Sequence, residues 1–225
     1  TQPDQEQRDR AFLLLDFLTP IVKTWPSEYG PKANDLAIQV LGGAGYTNDH
    51  PVELMYRDNR LNPIHEGTTG IQSLDLLARK VPQNGLAGYQ ACTDAIESDL
   101  DAASGTEELS VMVEALTCAL ADLKRTTEVL LGGMMEKDID LVLANSVRYL
   151  EFFGHVVVAW MWLRQGLVAV EALGGEPVAE DIKFYRGKLQ AMNYFARWEL
   201  PLTAPWGELL RNFDDTTLEM EPDWF

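Results

Sequence analysis

Apolar residues recur at helical spacing along most of the chain. In residues 4–25, Phe12, Leu15, Leu18 and Val22 follow the three- and four-residue spacing that puts side chains on one face of a helix. We find no convincing run of alternating apolar and polar positions, as a strand would need, and no internal repeat. The pattern therefore predicts an all-α chain.

Prolines and glycines divide this pattern into separate helices. Pro20 is predicted to kink or divide the first helix, because proline removes a backbone N–H donor. A segment rich in proline and glycine, residues 26–31, then separates it from a second helix at 32–41. A short helix carrying residues 53–58 and another from 69 to 81 are expected next.

Longer amphipathic helices fill the second half of the chain. Residues 82–88 are predicted to form a linker, and the tail after Pro201 is expected to be irregular. The pairs Gly132–Gly133 and Gly174–Gly175 are predicted helix stops. The long helices are predicted at about 89–103, 107–131, 138–173 and 178–199.

Composition and charge narrow the classes of function. The chain has 18 Lys and Arg against 35 Asp and Glu, a formal net charge of −17. Nucleic acids and anionic membranes are recognised through clustered basic side chains, so neither is the expected main partner. The strongest apolar run, residues 156–163, is too short to span a bilayer and is expected to be a buried helix. The N-terminus has no signal-peptide pattern, and Cys92 and Cys118 are expected to be reduced core residues, which together indicate a cytoplasmic protein.

Three linked segments depart from a plain helical pattern. They are QVLGGAGY at 39–46, PVELMYRDNR at 51–60 and PIHEGTTGIQ at 63–72. Their order and separations resemble the acyl-CoA dehydrogenase family over residues 12–81, roughly a third of the chain. Three motifs at the right spacing are far more specific than any one of them.

The glycine-rich segment has two interpretations. Glycines at 42, 43 and 45 remove side chains where another molecule could approach the backbone, but they also suit a helix C-cap without a ligand. The resemblance implies contacts with the adenosine and pyrophosphate of an FAD held mainly by the neighbouring subunit. It assigns those contacts to Gln39, Val40, Leu41, Gly42 and Gly43.

Glu66 is the candidate catalytic residue. The resemblance implies that this Glu removes a proton from the α-carbon of an acyl thioester while FAD takes a hydride from the β-carbon. Partial desolvation beside flavin and substrate would increase the basicity of its carboxylate, and Gly67 would let the thioester approach closely. The alternative is a Glu that only interacts with the dipole of the following helix.

The start of the next helix carries further candidate cofactor contacts. The resemblance places flavin contacts at Thr68, Thr69 and Gly70, where free N–H groups suit a polar cofactor edge. The alternative is a capping box formed by Thr69 and Gln72. The histidines follow no metal-ligand spacing, so no metal is predicted.

Beyond these motifs the chain continues with a helical extension. Residues 143–169 and 184–201 resemble the extra C-terminal domain of a bacterial branch containing methylmercaptopropionyl-CoA and broad-range acyl-CoA dehydrogenases. This divides the chain into residues 1–84, part of the C-terminal helical domain, and residues 85–225, an additional helical bundle. The chain is expected to be a fragment of a longer protein and to be inactive alone.

The predicted activity is the α,β-dehydrogenation of an acyl-CoA. The resemblance implies an electron-transfer flavoprotein as acceptor and a homodimer or dimer of dimers. An acyl-CoA oxidase would share the fold and the base, so the motifs do not separate the two. A non-catalytic helical interaction module is the alternative from another class. A DNA-binding role, known in alkylation-response relatives, is disfavoured by the negative charge.

Overall fold

The computed structural model describes residues 4–175 and 177–224. Every regular element in these two ranges is helical, which confirms the all-α prediction. Two helices, α4 and α9, each continue into a π-helical turn, at Asp75–Lys80 and Phe195–Glu199. The α-helices are α1 (Gln5–Leu41), α2 (Gly43–Tyr46), α3 (Val52–Asn59), α4 (Thr69–Leu74), α5 (Gln83–Ala103), α6 (Ser110–Glu136), α7 (Ile139–Leu143), α8 (Ser146–Gly174), α9 (Ala179–Tyr194) and α10 (Thr203–Arg211).

Helix α1 corrects the prediction of two separate helices. It runs without a break through Pro20, Pro26 and Pro31. Each proline removes one helical hydrogen bond, yet Pro20 and Pro31 are themselves buried and contribute to packing. Because α1 packs against α3, α5 and α8, tertiary contacts outweigh the local preference for a break.

The buried face of α1 is also not the predicted one. Phe12, Leu15 and Val22 are largely exposed, whereas Phe17 and Ile21 are almost completely buried. At 3.6 residues per turn, the exposed apolar row lies on the side of α1 opposite the core. The sequence contains two apolar faces, and periodicity alone does not say which one the core uses.

The central helix of the bundle is α8. The segment Ile139–Gly174 is the one stretch of the described residues long and apolar enough, by length and composition, to cross a membrane. In the bundle, Phe152, Val156 and Leu163 of α8 are fully buried, and α8 packs against α1, α4, α5, α6, α9 and α10. The prediction that residues 156–163 form a buried helix is confirmed.

An aromatic cluster at the centre of the core joins the two predicted parts of the chain. Phe153 of α8 makes edge-to-face contacts with Phe17, Tyr89 and Tyr149, at ring-centroid distances of 5.3, 6.2 and 6.0 Å. Phe17 belongs to the first part and the other three residues to the second. The division at residues 84 and 85 stays a prediction, and the core is continuous across it.

A polar pair formed by buried His155 and half-buried Tyr29 fixes α1 against α8. The Nδ1 atom of His155 lies 2.8 Å from the Glu151 carbonyl oxygen, and its Nε2 atom lies 3.0 Å from the Tyr29 hydroxyl. A carbonyl can only accept, so Nδ1 carries the proton and Nε2 accepts from Tyr29. Burial lowers the pKa of His155 and raises that of Tyr29 to about 12, so both groups are neutral at pH 7.

Two glycine predictions have different outcomes. The chain does leave α8 at Gly174–Gly175, as predicted. In contrast, α6 continues through Gly132–Gly133 to Glu136. A Cβ at Gly133 would lie 2.6 Å from the Phe213 ring, so the missing side chain makes room for a core contact and does not end the helix.

Two further predictions for the second half are wrong. The tail after Pro201 contains α10, whose Leu210 is buried. Cys92 is buried as expected, but Cys118 is exposed. The first error arises because a helix of nine residues carries too few positions to define a period against a tail rich in proline. The second arises because a cysteine is most often buried, whereas Cys118 lies on the exposed side of the long helix α6.

Candidate functional site

The first motif lies at the exposed C-terminal end of α1. Residues 39–43 are all exposed. Gly42 ends the helix with a φ of 59°, a conformation that glycine adopts without strain. A Cβ added at Gly42 or Gly43 would meet nothing within 4 Å. Nothing in the described chain covers these two glycines, so their backbone is open to a group from outside.

Gly45 has a different role from its two neighbours. An added Cβ there would lie 2.5 Å from the Ile38 carbonyl oxygen, so this position allows α2 to fold back on the end of α1. Only part of the glycine-rich segment is therefore explained by packing within the chain. Gly42 and Gly43 have no such packing reason for lacking a side chain.

The third motif, residues 63–72, forms a turn that exposes the Glu66 carboxylate. Glu66 and Gly67 both have positive φ, 55° and 89°. The left-handed region costs a residue with a side chain about 1–2 kcal/mol, so this backbone persists only where other contacts hold it. The Glu66 carbonyl accepts a hydrogen bond of 3.1 Å from Gln72 Nε2, and its carboxylate remains exposed.

Lys23 of α1 also holds this turn, through hydrogen bonds to its backbone. Its Nζ donates to the carbonyl oxygens of Asn62, at 3.0 Å, and Gly67, at 2.5 Å. Sequence reasoning missed this residue. The available signal was a charged side chain one position before buried Thr24, because a lysine beside the inward face of a helix needs an acceptor.

The beginning of the loop is fixed to α1 by a chain of amides. Asn59 donates to the Asn34 side-chain oxygen at 2.8 Å, and Asn62 donates to Asn59 at 2.6 Å. Gly30 allows this approach, since a Cβ there would lie 2.6 Å from Asn59 Nδ2. The whole segment 59–67 is therefore held on one side of α1 even though it contains no long helix.

The capping box expected at the start of α4 is absent. Thr68 occupies the N-cap position without a side-chain capping bond, and the Thr69 hydroxyl donates to the Glu28 carboxylate. The Gln72 amide turns toward the Glu66 carbonyl. The spacing predicted the correct helix start but the wrong partners, since α1 supplies an acceptor that the local sequence does not reveal.

The first and third motifs occupy separate places along α1. Thr69 contacts Glu28, and Gln39 lies eleven residues further along the helix, which is roughly 16 Å at 1.5 Å per residue. Between them, a cavity of 530 Å³ is lined by residues of α1 and of the segment 56–63. The structure thus does not bring residues 39–43 together with residues 66–70 at one point of this chain.

The histidines near the motifs stand apart from any metal-ligand arrangement. His65 Nδ1 lies 3.0 Å from the Leu61 carbonyl oxygen and the ring is exposed. Across residues 4–175 and 177–224, no group of three or more His, Cys, Asp or Glu side chains is placed to hold a metal ion.

Comparison with known proteins tests the family resemblance. A family model described as "Acyl-CoA dehydrogenase, C-terminal domain" matches residues 3–81. A second, described as "Acetyl-CoA dehydrogenase C-terminal like", matches residues 90–221. The chain belongs to the acyl-CoA dehydrogenase family. The resemblance seen in the three motifs is confirmed, and it extends over both halves of the chain.

Individual acyl-CoA dehydrogenases are similar to different extents. The broad-specificity linear acyl-CoA dehydrogenase FadE5 of Mycobacterium tuberculosis is 30% identical over 216 residues, covering 94% of this chain and 35% of that protein. The 3-methylmercaptopropionyl-CoA dehydrogenase of Ruegeria pomeroyi is 30% identical over 196 residues, covering 86% of this chain and 32% of that protein. The human mitochondrial short-chain specific acyl-CoA dehydrogenase is 41% identical over 71 residues, covering 29% and 17%. The chain spans about a third of the length of the first two relatives.

Proposed function

We propose that the protein carrying this chain is an FAD-dependent acyl-CoA dehydrogenase in which Glu66 is the base. The observation that carries the proposal is the Glu66–Gly67 turn. It presents an exposed carboxylate on a backbone held by Lys23 and Gln72. A base fixed in this way can meet the α-carbon of an acyl-CoA thioester at hydrogen-bond reach.

In the proposed reaction, the proton and the hydride that leave the substrate go to different acceptors. The Glu66 carboxylate takes the proton from the α-carbon, and FAD, when bound, accepts the hydride from the β-carbon, so that a carbon–carbon double bond forms. Gly67 is assigned to contact the thioester through its backbone, because the place of a side chain is already taken by Gln72, whose Nε2 would lie 2.7 Å from an added Cβ. Covering of the turn by substrate and cofactor would exclude water and make the carboxylate a stronger base.

The chain's residues fit an FAD at two positions. Gly42 and Gly43 have open backbone faces at the exposed end of α1, which suits the pyrophosphate and adenosine contacts proposed for residues 39–43. A Cβ at Gly70 would also meet nothing within 4 Å, which supports flavin contacts at Thr68, Thr69 and Gly70. We assign the first position to an FAD held mainly by a neighbouring subunit, as the family resemblance implies.

Reduction of the flavin by an acyl-CoA tests this function. We expect the full-length protein to bind FAD, to lose its absorbance near 450 nm when a saturated acyl-CoA is added without oxygen, and to pass electrons to an electron-transfer flavoprotein. The chain described here should bind no FAD tightly by itself. A full-length flavoprotein whose flavin no acyl-CoA reduces would contradict the proposal and favour a non-catalytic helical module. Rapid oxygen consumption with acyl-CoA would instead identify an acyl-CoA oxidase.

A shared cofactor site requires a homo-oligomer, for which α1 offers a surface. Its outward row includes Phe12, Leu15, Val22, Leu36 and Val40, and Val40 is 85% exposed. An apolar row of this length is rarely left in water in a monomeric protein. We propose that the partner subunit covers this row in a dimer or dimer of dimers. The alternative is that the rest of the same chain covers it.

A charge placed on this row should separate the subunits. In the full-length protein, Val22→Glu, on the same row but outside the proposed FAD contacts, is expected to lower the solution mass measured by light scattering and to reduce FAD content. Burying an unpaired carboxylate in an apolar interface costs several kcal/mol. Val168→Glu is the matched control, because Val168 is also an exposed valine but lies on α8. A monomeric wild-type protein that holds FAD and oxidises acyl-CoA would rule out the shared site.

A further inference from the structure

Lys23 is placed to act on the candidate base without touching a carboxylate. It is half-buried on α1, and within the described part of the chain it forms no ion pair. Its ammonium group donates to two carbonyl oxygens, those of Asn62 and Gly67. A buried or half-buried cation is normally paired with a carboxylate, so the use of this charge on a loop backbone needs an explanation.

The loop that Lys23 holds has an unfavourable backbone conformation. Glu66 and Gly67 follow one another in the positive-φ region, and strain of this kind persists only where the surroundings over-determine it. Lys23 fixes the Gly67 carbonyl from α1, and Gln72 fixes the Glu66 carbonyl from α4. The two donors thus hold two consecutive peptide groups of the turn. Gln72 holds the one between Glu66 and Gly67, which adjoins the Cα that carries the Glu66 side chain, and Lys23 holds the next one, between Gly67 and Thr68.

A second contact from the same helix holds the other end of this segment. Glu28 of α1 accepts the hydrogen bond of the Thr69 hydroxyl, two residues beyond Gly67. Lys23 and Glu28 are five residues apart on one helix, and α1 is itself fixed to α8 by the Tyr29–His155 pair. Through α1, the turn is therefore held in a fixed position relative to the bundle core, and contacts within the loop are not its only support.

We propose that Lys23, together with Gln72, is a positioning residue that aims the Glu66 carboxylate at the substrate α-carbon. The inference rests on the proposed function of Glu66 and goes beyond it by assigning how the base is held. Loss of Lys23 releases the Gly67 carbonyl, and the turn then relaxes toward ordinary backbone angles. A displacement of about 1 Å at a catalytic group can reduce a rate about 100-fold.

The test measures the rate of flavin reduction in the full-length flavoprotein. Lys23→Met keeps the apolar stem and removes the donors. We expect the limiting rate of flavin reduction by acyl-CoA to fall roughly 10- to 100-fold, with FAD content and the half-saturating acyl-CoA concentration within about twofold of wild type. Lys23→Arg restores donors and charge and should recover much of the rate. Lys183→Met, at an exposed lysine of α9, is the control for losing one charge.

The split between rate and affinity separates positioning from general stability. A merely structural role would lower FAD content or thermal stability and leave the limiting rate of the remaining holoenzyme unchanged. Lys23→Met that folds, binds FAD and reduces it at the wild-type rate overturns the proposal. If Lys23→Met does not accumulate as a folded flavoprotein, Gln72→Met decides: a fall in the limiting rate supports the proposal, and a wild-type rate overturns it.

The outcome also distinguishes this proposal from the proposed function. Glu66→Gln is measured beside the other variants. If Glu66→Gln abolishes flavin reduction and Lys23→Met leaves it unchanged, only the positioning role fails. If Glu66→Gln itself reduces flavin at the wild-type rate, Glu66 is not the base and the proposed function fails first.

Discussion

Replacing Glu66 by Gln in the full-length protein is expected to abolish the reduction of bound FAD by acyl-CoA. Glutamine keeps the shape and the hydrogen-bonding ability of the side chain but accepts no proton from carbon. General-base catalysis contributes about 100- to 10,000-fold to a rate, so the limiting rate should fall by about this factor or more. Rapid mixing without oxygen, followed at the flavin absorbance, measures it.

Two controls make the Glu66→Gln result specific. FAD content should stay at the wild-type level, because the carboxylate is exposed and its removal leaves the carbonyl contacts of the turn intact. Glu108→Gln removes an exposed charge at the start of another helix and should leave the rate unchanged. A wild-type rate in Glu66→Gln would support the alternative in which this Glu only interacts with the dipole of α4.

Truncating Phe153 is expected to give the largest loss of stability in the described core. The side chain is fully buried and contacts Phe17, Tyr89 and Tyr149 in one aromatic cluster. A buried Phe→Ala change typically lowers the free energy of unfolding by 3–5 kcal/mol. Chemical denaturation of the chain, followed by far-UV circular dichroism, measures this loss. Phe184→Ala, at an exposed phenylalanine, should change it by only about 0.5 kcal/mol.

The shape of the same unfolding curve tests the domain division. Because the cluster joins α1 to α5 and α8, Phe153→Ala should shift one cooperative transition that involves the whole chain. Two transitions, of which only one moved, would instead show that residues 1–84 and 85–225 unfold as separate units. The predicted boundary would then describe folding as well as family resemblance.

The sequence predicted helix content well because helical periodicity is a local property. The end of α8 at Gly174–Gly175 and the short helix α3 follow from such local signals. The prediction failed where contacts between residues far apart in sequence determine the structure. Pro20 does not divide α1, and Phe12 faces outward while Phe17 faces the core.

For the candidate site, too, the sequence predicted some residues and missed others. The three motifs predicted the family correctly without any coordinates, and they singled out Glu66 and Gly42–Gly43 as candidates. They did not identify Lys23 or Glu28, whose partners lie 44 and 41 residues away in sequence. Pairing of this kind depends on how α1 lies beneath the loop, and one sequence contains no direct record of that geometry.

The three prolines of α1 affect the stage of folding at which the candidate site becomes ordered. Each costs about 3 kcal/mol in the interior of an isolated helix, so α1 has no stability of its own and becomes helical only when it docks on α5 and α8. Both motif segments depend on α1, one as its end and the other through Lys23 and Glu28. The Glu66–Gly67 turn is thus ordered only in molecules whose core is already assembled. A mutation deep in the bundle would therefore reduce the number of competent sites and leave the chemistry of each remaining site unchanged.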